Sequence, residues 1–188
     1  MTVAFYDFET TGLNPFHDKI IEYAFSCEND DITSMVKQPG ELSLEVQKVT
    51  GITSEMLQKN GIHENRAKEE ILDWLKKMCD KYESPLYLVA HNNIGFDMIF
   101  LKRLLSDERE FVENNIRFVD SMYLAKYLMP KMRSVSMKTL TKVFGIESGN
   151  HRALGDTIAL KKVYNELIKK LPIGCRNVEK IYNILNII

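Results

Sequence analysis

Hydrophobic and polar positions along this chain follow two different rhythms, and the change comes near residue 40. Val3 to Phe8 is a nearly continuous apolar run rich in β-branched and aromatic residues, which predicts a buried strand. Asn14-Pro15 separates it from Ile20 to Ser26, a second strand. The turn residues Asn29-Asp30-Asp31 lead into a third at Ile32 to Lys37. Three short strands in a row predict an antiparallel meander. After Pro39-Gly40 helical spacing takes over. Thr53 or Ser54 can cap a short helix through Leu57. Arg66 to Tyr82 places Ala67, Ile71, Leu75, Met78 and Tyr82 on one stripe, ended by Ser84-Pro85. Tyr87 to Ala90 reads as a strand, Phe96 to Leu105 as a helix, and Arg117 to Val119 as a strand. Met122 to Leu128 is helical up to Pro130. Ser136 caps a helix from Met137 to Phe144 that Gly145 stops, and Arg152 to Leu171 is a long helix closed by Pro172.

Strands first, then strands alternating with helices, predict an α/β fold: a mixed sheet, an antiparallel meander followed by parallel strands, flanked by helices. The 188 residues suit one domain, expected over 1–172. In the remainder, 173–188, apolar residues at 178, 181, 182, 185 and 188 have helical spacing. An amphipathic helix normally buries its stripe on its own core, so this segment is expected to pack on the same domain rather than to hold a partner.

Composition changes the picture little. Hydrophobic residues make up 45% and charged residues 27%, which is ordinary for a globular chain. The net charge of -1, from 25 basic and 26 acidic residues, is mild evidence against broad electrostatic binding of nucleic acid. It does not exclude a nuclease, because metal-binding acids subtract from the total and basic residues can cluster on one face. Cys27, Cys79 and Cys175 are few, odd in number and scattered, which disfavours a disulfide framework or zinc site and points to a reducing, cytoplasmic setting. No signal peptide is expected before the first strand, and no apolar stretch is long enough to span a bilayer, so no membrane association is expected.

Three short segments carry chemistry. In Phe5-Tyr6-Asp7-Phe8-Glu9 the side chains alternate, so Asp7 and Glu9 point to one face of an apolar strand. Burying two carboxylates there is costly unless a cation neutralises them, and hard oxygen ligands suit Mg²⁺ or Mn²⁺; a frayed, solvated strand end is the equally good alternative. Asp97 closes the second segment, His91 to Asp97, where a strand runs through a Gly95 turn into a helix. An acid in a first helical turn is also explained by the helix dipole alone. The third, His151 to Asp156, sets a histidine just before a helix and an acid one turn into it. Histidine is the side chain best suited to exchange a proton near neutral pH, although a loop histidine and a solvated helix acid read equally well singly.

Together Asp7, Glu9, Asp97, His151 and Asp156 resemble the DEDDh subgroup of the DEDD exonuclease superfamily, whose members have a ribonuclease H-like fold and remove nucleotides from 3′ ends. The wording is close: DFETTGL, then HNNIGFD, then HRALGD, in family order from residue 7 to 156. Val49 to Thr53 is similar to the family's HGIT segment, with Thr50 in place of histidine. Phe118 to Ser121 is similar to its strand end, with Ser121 where threonine is usual and Asp120 read as structural. In the third motif Gly155 precedes Asp156 and Thr157 follows it, a further departure.

The resemblance implies a mechanism. Two cations about 3.5–4 Å apart can stabilise both ends of an in-line displacement at phosphorus. Asp7, Glu9 and Asp156 are implied to hold the cation that activates water, with Asp7 bridging to a second. Asp97 completes the site through a water, and His151 serves as general base. Thr10, Gly12, Leu13 and Ile52 are the implied contacts to the terminal nucleotide, a shape-reading pocket. Lys126, Lys131, Arg133 and Lys138 form a basic stretch that either follows a phosphate backbone or is simply solvated. The expected partners are a single-stranded 3′ end of DNA or RNA and a polymerase. The wording leans towards the proofreading or repair branch acting on DNA. An RNA-trimming exoribonuclease shares the same five groups, and a non-catalytic nucleic-acid-binding or polymerase-docking module is the reading from another class.

Overall fold

The first apolar run becomes a nine-residue strand, β1 (Thr2–Thr10), in a computed structural model that describes residues 2–149 and 151–186. β2 (Ile20–Cys27) lies antiparallel to β1, and β3 (Asp30–Met35) lies antiparallel to β2. The turn between the last two is tighter than the Asn29-Asp30-Asp31 signal suggests. Glu28 takes a left-handed φ of 55°, and Asp30 already pairs with Cys27.

The middle of the chain runs through α1 (Leu44–Thr50), α2 (Ser54–Asn60) and α3 (Glu64–Tyr82) to β4 (Leu86–Ala90). It continues through α4 (Asp97–Leu104) and α5 (Arg109–Asn115) to β5 (Ile116–Asp120), and ends with α6 (Ser121–Leu128), α7 (Met137–Phe144), α8 (Ala153–Lys169) and α9 (Val178–Leu185). Capping explains several boundaries. Thr53 accepts from the Met56 amide at the start of α2, and Ser136 accepts from the Thr139 amide at the start of α7. Helices α1 and α5 have no sequence forecast. Leu44 and Val49 of α1 are exposed, and α5 buries only Val112, so neither shows the apolar stripe that betrays a helix.

The sheet order is β3-β2-β1-β4-β5, with β4 parallel to both β1 and β5. Strand alternation decides what each face buries. Ala4, Tyr6 and Phe8 of β1 join Leu86, Leu88 and Ala90 of β4 under α3 and α4. Phe5, Tyr87 and Val89 face the other way, into a second apolar layer with Leu160, Val163 and Leu167 of α8. Asp7 and Glu9 share the parity of Phe5, so they point towards α8. Helix α9 closes this layer: Val178 and Ile181 are buried, and Tyr182 meets Tyr87 edge-on at 5.8 Å. Packing of the C-terminal stripe is therefore observed as far as Leu185; its last position, residue 188, lies outside the described residues. Among the described residues no helix is long and apolar enough to cross a membrane, and all three cysteines are free.

Candidate active site

The central strand supplies the floor. Asp7 is opposite Ala24 and Glu9 is opposite Glu22 on β2. Both acids are half-buried. Burial, with Asp97, Glu9 and Asp156 close by, holds the Asp7 carboxyl well above the usual carboxylate range. Burial and the charges of Asp156 and Glu22 push Glu9 up to about 7, against a partial offset from Arg152.

The second wall is the turn after β4. Asn93 is fully buried and ties three strands together. It accepts from the Tyr6 hydroxyl and donates to the carbonyls of Leu88 (3.1 Å) and Val119 (3.0 Å). Asp120 accepts from the amides of Asn92 (3.1 Å), Ile94 (3.1 Å), Met122 (2.9 Å) and Tyr123 (3.4 Å), so its carboxylate caps α6 and braces the turn. This is the structural part read from its sequence. His91 pairs through Nδ1 with Ser121 Oγ at 2.9 Å, and burial lowers its imidazole to about 4, which also suits a structural residue. The braced turn delivers Asp97 against β1. There its Oδ1 accepts from the Phe8 amide at 3.3 Å, beyond the last parallel pair, Phe5 with Val89. Burial pushes Asp97 up to about 8, while the amides of Asp97 and Phe8 oppose the rise.

The third wall is the start of α8. His151 is exposed and takes a left-handed φ of 55°, an uncommon conformation for a residue with a side chain. Arg152 precedes the helix and Asp156 lies in its first turn. Donor atoms of Glu9, His151 and Asp156 all come within 4.8 Å of one another. Burial, with the charge of Glu22 added, raises Asp156, and His151 partly offsets this. The backbone at Gly149 approaches so closely that a Cβ there would fall 1.7 Å from Asp156 Oδ1.

Glu22 has no place in the sequence reading. It is 4% exposed, and its carboxylate grips Arg152 through Nε (3.0 and 3.1 Å) and Nη2 (2.5 Å) while accepting from the Ala153 amide at 2.9 Å. The available signal was a lone acid inside the apolar strand IIEYAFSC.

The implied nucleotide contacts separate. Thr10 is buried, and its hydroxyl donates to the Gly12 carbonyl at 2.6 Å. Leu13 is 87% exposed, and Phe16, unnoticed in the sequence, is 71% exposed on the same loop. Arg103 of α4 holds that loop through the carbonyls of Pro15 and Asp18. Gly12 sits against Asp18, where a Cβ would fall 2.5 Å from Oδ2. Ile52 is buried, in a cluster with Ile21, Leu42 and Leu57. Lys126, Lys131, Arg133 and Lys138 are all exposed. Trp74 is buried and donates to Asp30 at 3.0 Å, a packing residue.

These raised acids fix a direction of pH dependence. A carboxyl whose folded value lies above its unfolded value holds its proton more tightly when folded. Its contribution to stability is complete below the unfolded value and is lost as pH rises through the folded one. With Glu9 raised from 4.5 to about 7 and Asp97 from 3.8 to about 8, the metal-free protein should lose stability between about pH 4 and pH 8. Thermal melts in chelator across that range should show a falling midpoint, and saturating Mg²⁺ or Mn²⁺ should flatten the fall. A midpoint independent of pH would show that these acids are not held against their charge.

A mixed sheet in the order β3-β2-β1-β4-β5, with acids on the central strand facing a helix that carries another, is the ribonuclease H-like exonuclease fold. The chain belongs to the RNase_T exonuclease family, whose model matches residues 4–164. It is 32% identical over 185 residues to a PolC-type DNA polymerase III from Thermotoga petrophila, covering 95% of this chain but 13% of that protein. The likeness to exonuclease I has a TM-score of 0.77 at 19% identity, over 99% of this chain and 43% of that one. A zinc-ion-bound complex of Escherichia coli exonuclease I with single-stranded DNA superposes with a TM-score of 0.73 at 20% identity, over 89% of this chain and 40% of that one.

Proposed function

We propose that this chain is a 3′→5′ exonuclease that hydrolyses the terminal phosphodiester of a DNA strand and releases nucleoside 5′-monophosphates. The observation that carries this reading is the meeting of Glu9, His151 and Asp156 within 4.8 Å, beside two further acids, Asp7 and Asp97, that burial and neighbouring acids hold above the usual carboxylate range. The donor set fits hard divalent cations. Its acids are rich in oxygen, and burial together with neighbouring acids makes them hold protons tightly, a cost that a cation offsets. Asp7, Glu9 and Asp156 would hold Mg²⁺ or Mn²⁺, two ions being the number proposed, with Asp97 completing the site. Such ions supply charge neutralisation at the phosphate oxygens and a more acidic attacking water.

The remaining steps fall to the protein. His151 accepts a proton from the attacking water, whose oxygen bonds to phosphorus. The bond from phosphorus to the preceding 3′ oxygen breaks, that oxygen takes up a proton from solvent to become the new 3′ hydroxyl, and the terminal nucleotide leaves with its 5′ phosphate. Being exposed and next to Asp156, His151 can reach water without leaving the site. Thr10, Gly12 and Leu13, joined by Phe16, line the place for the last base. Stacking on Leu13 and Phe16 is tolerant of base identity.

DNA is favoured over RNA because the relatives named above are a DNA polymerase and a nuclease complexed with single-stranded DNA. The polymerase relative also supports an intracellular setting with a polymerase as partner. The exoribonuclease and the binding module are the competing outcomes. Incubating the pure chain with 3′-end and 5′-blocked oligonucleotides of DNA and RNA, with Mg²⁺, Mn²⁺ or chelator, separates the three. Metal-dependent shortening from the 3′ end of DNA supports the proposal. Preference for RNA supports the exoribonuclease, and binding without shortening supports the module.

The exposed cations Lys131 and Arg133 are proposed to follow the phosphate backbone of the single strand. Replacing both by alanine should raise KM several-fold with kcat little changed. It should also reduce the salt dependence of binding by about one to two phosphate contacts. An unchanged salt slope would mark the loop as merely solvated.

A further inference from the structure

We propose that Glu22 is a positioning residue: through Arg152 it seats the peptide that carries His151 over the acids of β1. The inference rests on the exonuclease reading and adds to it a residue outside the five-group set.

Stability alone gives a poor account of Glu22. An acid at this buried strand position costs desolvation, and it faces a second acid, Glu9, directly across the strand pair. An apolar residue would suit β2 better, and buried ion pairs are often replaceable by apolar groups without loss. What the pair does supply is a fixed attachment point. Both Glu22 oxygens are engaged: the guanidinium docks side-on, and the Ala153 amide adds the first free N–H of α8. Arg152 is the residue immediately after His151. A latch on Arg152 and Ala153 therefore fixes the loop-to-helix junction within one peptide of the imidazole. It also holds His151 at φ 55°, a backbone conformation that persists only when its surroundings over-determine it. The attachment is long-range, spanning 130 positions of sequence, so local structure cannot replace it. The same contacts engage Nε and Nη2 of the Arg152 guanidinium.

The test uses the full chain carrying Glu22→Gln, alone and combined with His151→Ala. A misplacement of about 1 Å can cost around 10²-fold in rate. Glu22→Gln should therefore lower kcat by about that factor and leave KM within a few-fold, whereas in the His151→Ala background it should lower kcat little further. Mn²⁺ should broaden the His151 ring resonance in wild-type protein, assigned by its absence in His151→Ala, and broaden it much less in Glu22→Gln. Arg152→Gln, on the more exposed side of the pair, should give the same signature if Glu22→Gln does not fold. Wild-type kcat in either folded variant, or an equal loss with and without His151, would overturn the latch. Absence of shortening by the wild type would instead overturn the exonuclease reading, and the Mn²⁺ broadening would still decide whether Glu22 places His151.

Discussion

Asp7→Asn should abolish shortening of DNA ends while making the metal-free protein more stable. The two halves have one cause. Asp7 lies among Asp97, Glu9 and Asp156, and burial with those charges already drives its carboxyl well above the usual range. An amide of the same shape removes that repulsion without opening a cavity. In chelator at pH 8 the melting midpoint should therefore rise, by about 2–4 °C for each kcal/mol relieved in a chain of this size. The same change removes a ligand that the proposed mechanism assigns to the cations. Charge stabilisation of that kind is worth several kcal/mol in the transition state, so the loss should be about 10³-fold or more. Initial rates at saturating Mg²⁺, set beside melts in chelator, test both halves. A variant that is less stable and still active would show Asp7 to be an ordinary structural acid.

His151→Ala should produce the second large effect and divide the kinetic constants differently. The imidazole lies on an exposed turn, so its removal costs little packing. General-base catalysis contributes about 10²–10⁴-fold, and kcat should fall by a factor in that range with KM nearly unchanged. A variant that keeps wild-type kcat would remove His151 from the proton transfer. Asp7→Asn and His151→Ala also differ in metal binding: the first should weaken it strongly, and the second only as far as His151 itself touches a cation.

Much of this site can be read without coordinates because its elements are local. Asp7 and Glu9 share a face because strand side chains alternate, and the structure keeps that parity. Asp97 opens α4 and Asp156 lies in the first turn of α8, close to where glycine turns and helical spacing place them. Ser136 and Gly145 bound α7 as cap and stop. The failures are equally specific. α1 and α5 bury too little to imprint a stripe, and the β2–β3 turn uses a left-handed glutamate rather than the asparagine and aspartates beside it. That Ile52 is enclosed with Ile21, Leu42 and Leu57 had no signal in its own neighbours in sequence.

The sequence by itself determined the fold class, the strand parity and the order of the acids and the histidine, because alternation, capping and turn chemistry act over a few residues. Only the tertiary structure decided which of these groups meet. Asp97 reaches the Phe8 amide across 89 positions and Arg152 reaches Glu22 across 130. Whether Leu13 stands in solvent while Ile52 is enclosed depends on how distant elements pack. Burial and long-range pairing arise from register and packing between separate elements, and a local pattern of residue types carries no record of either.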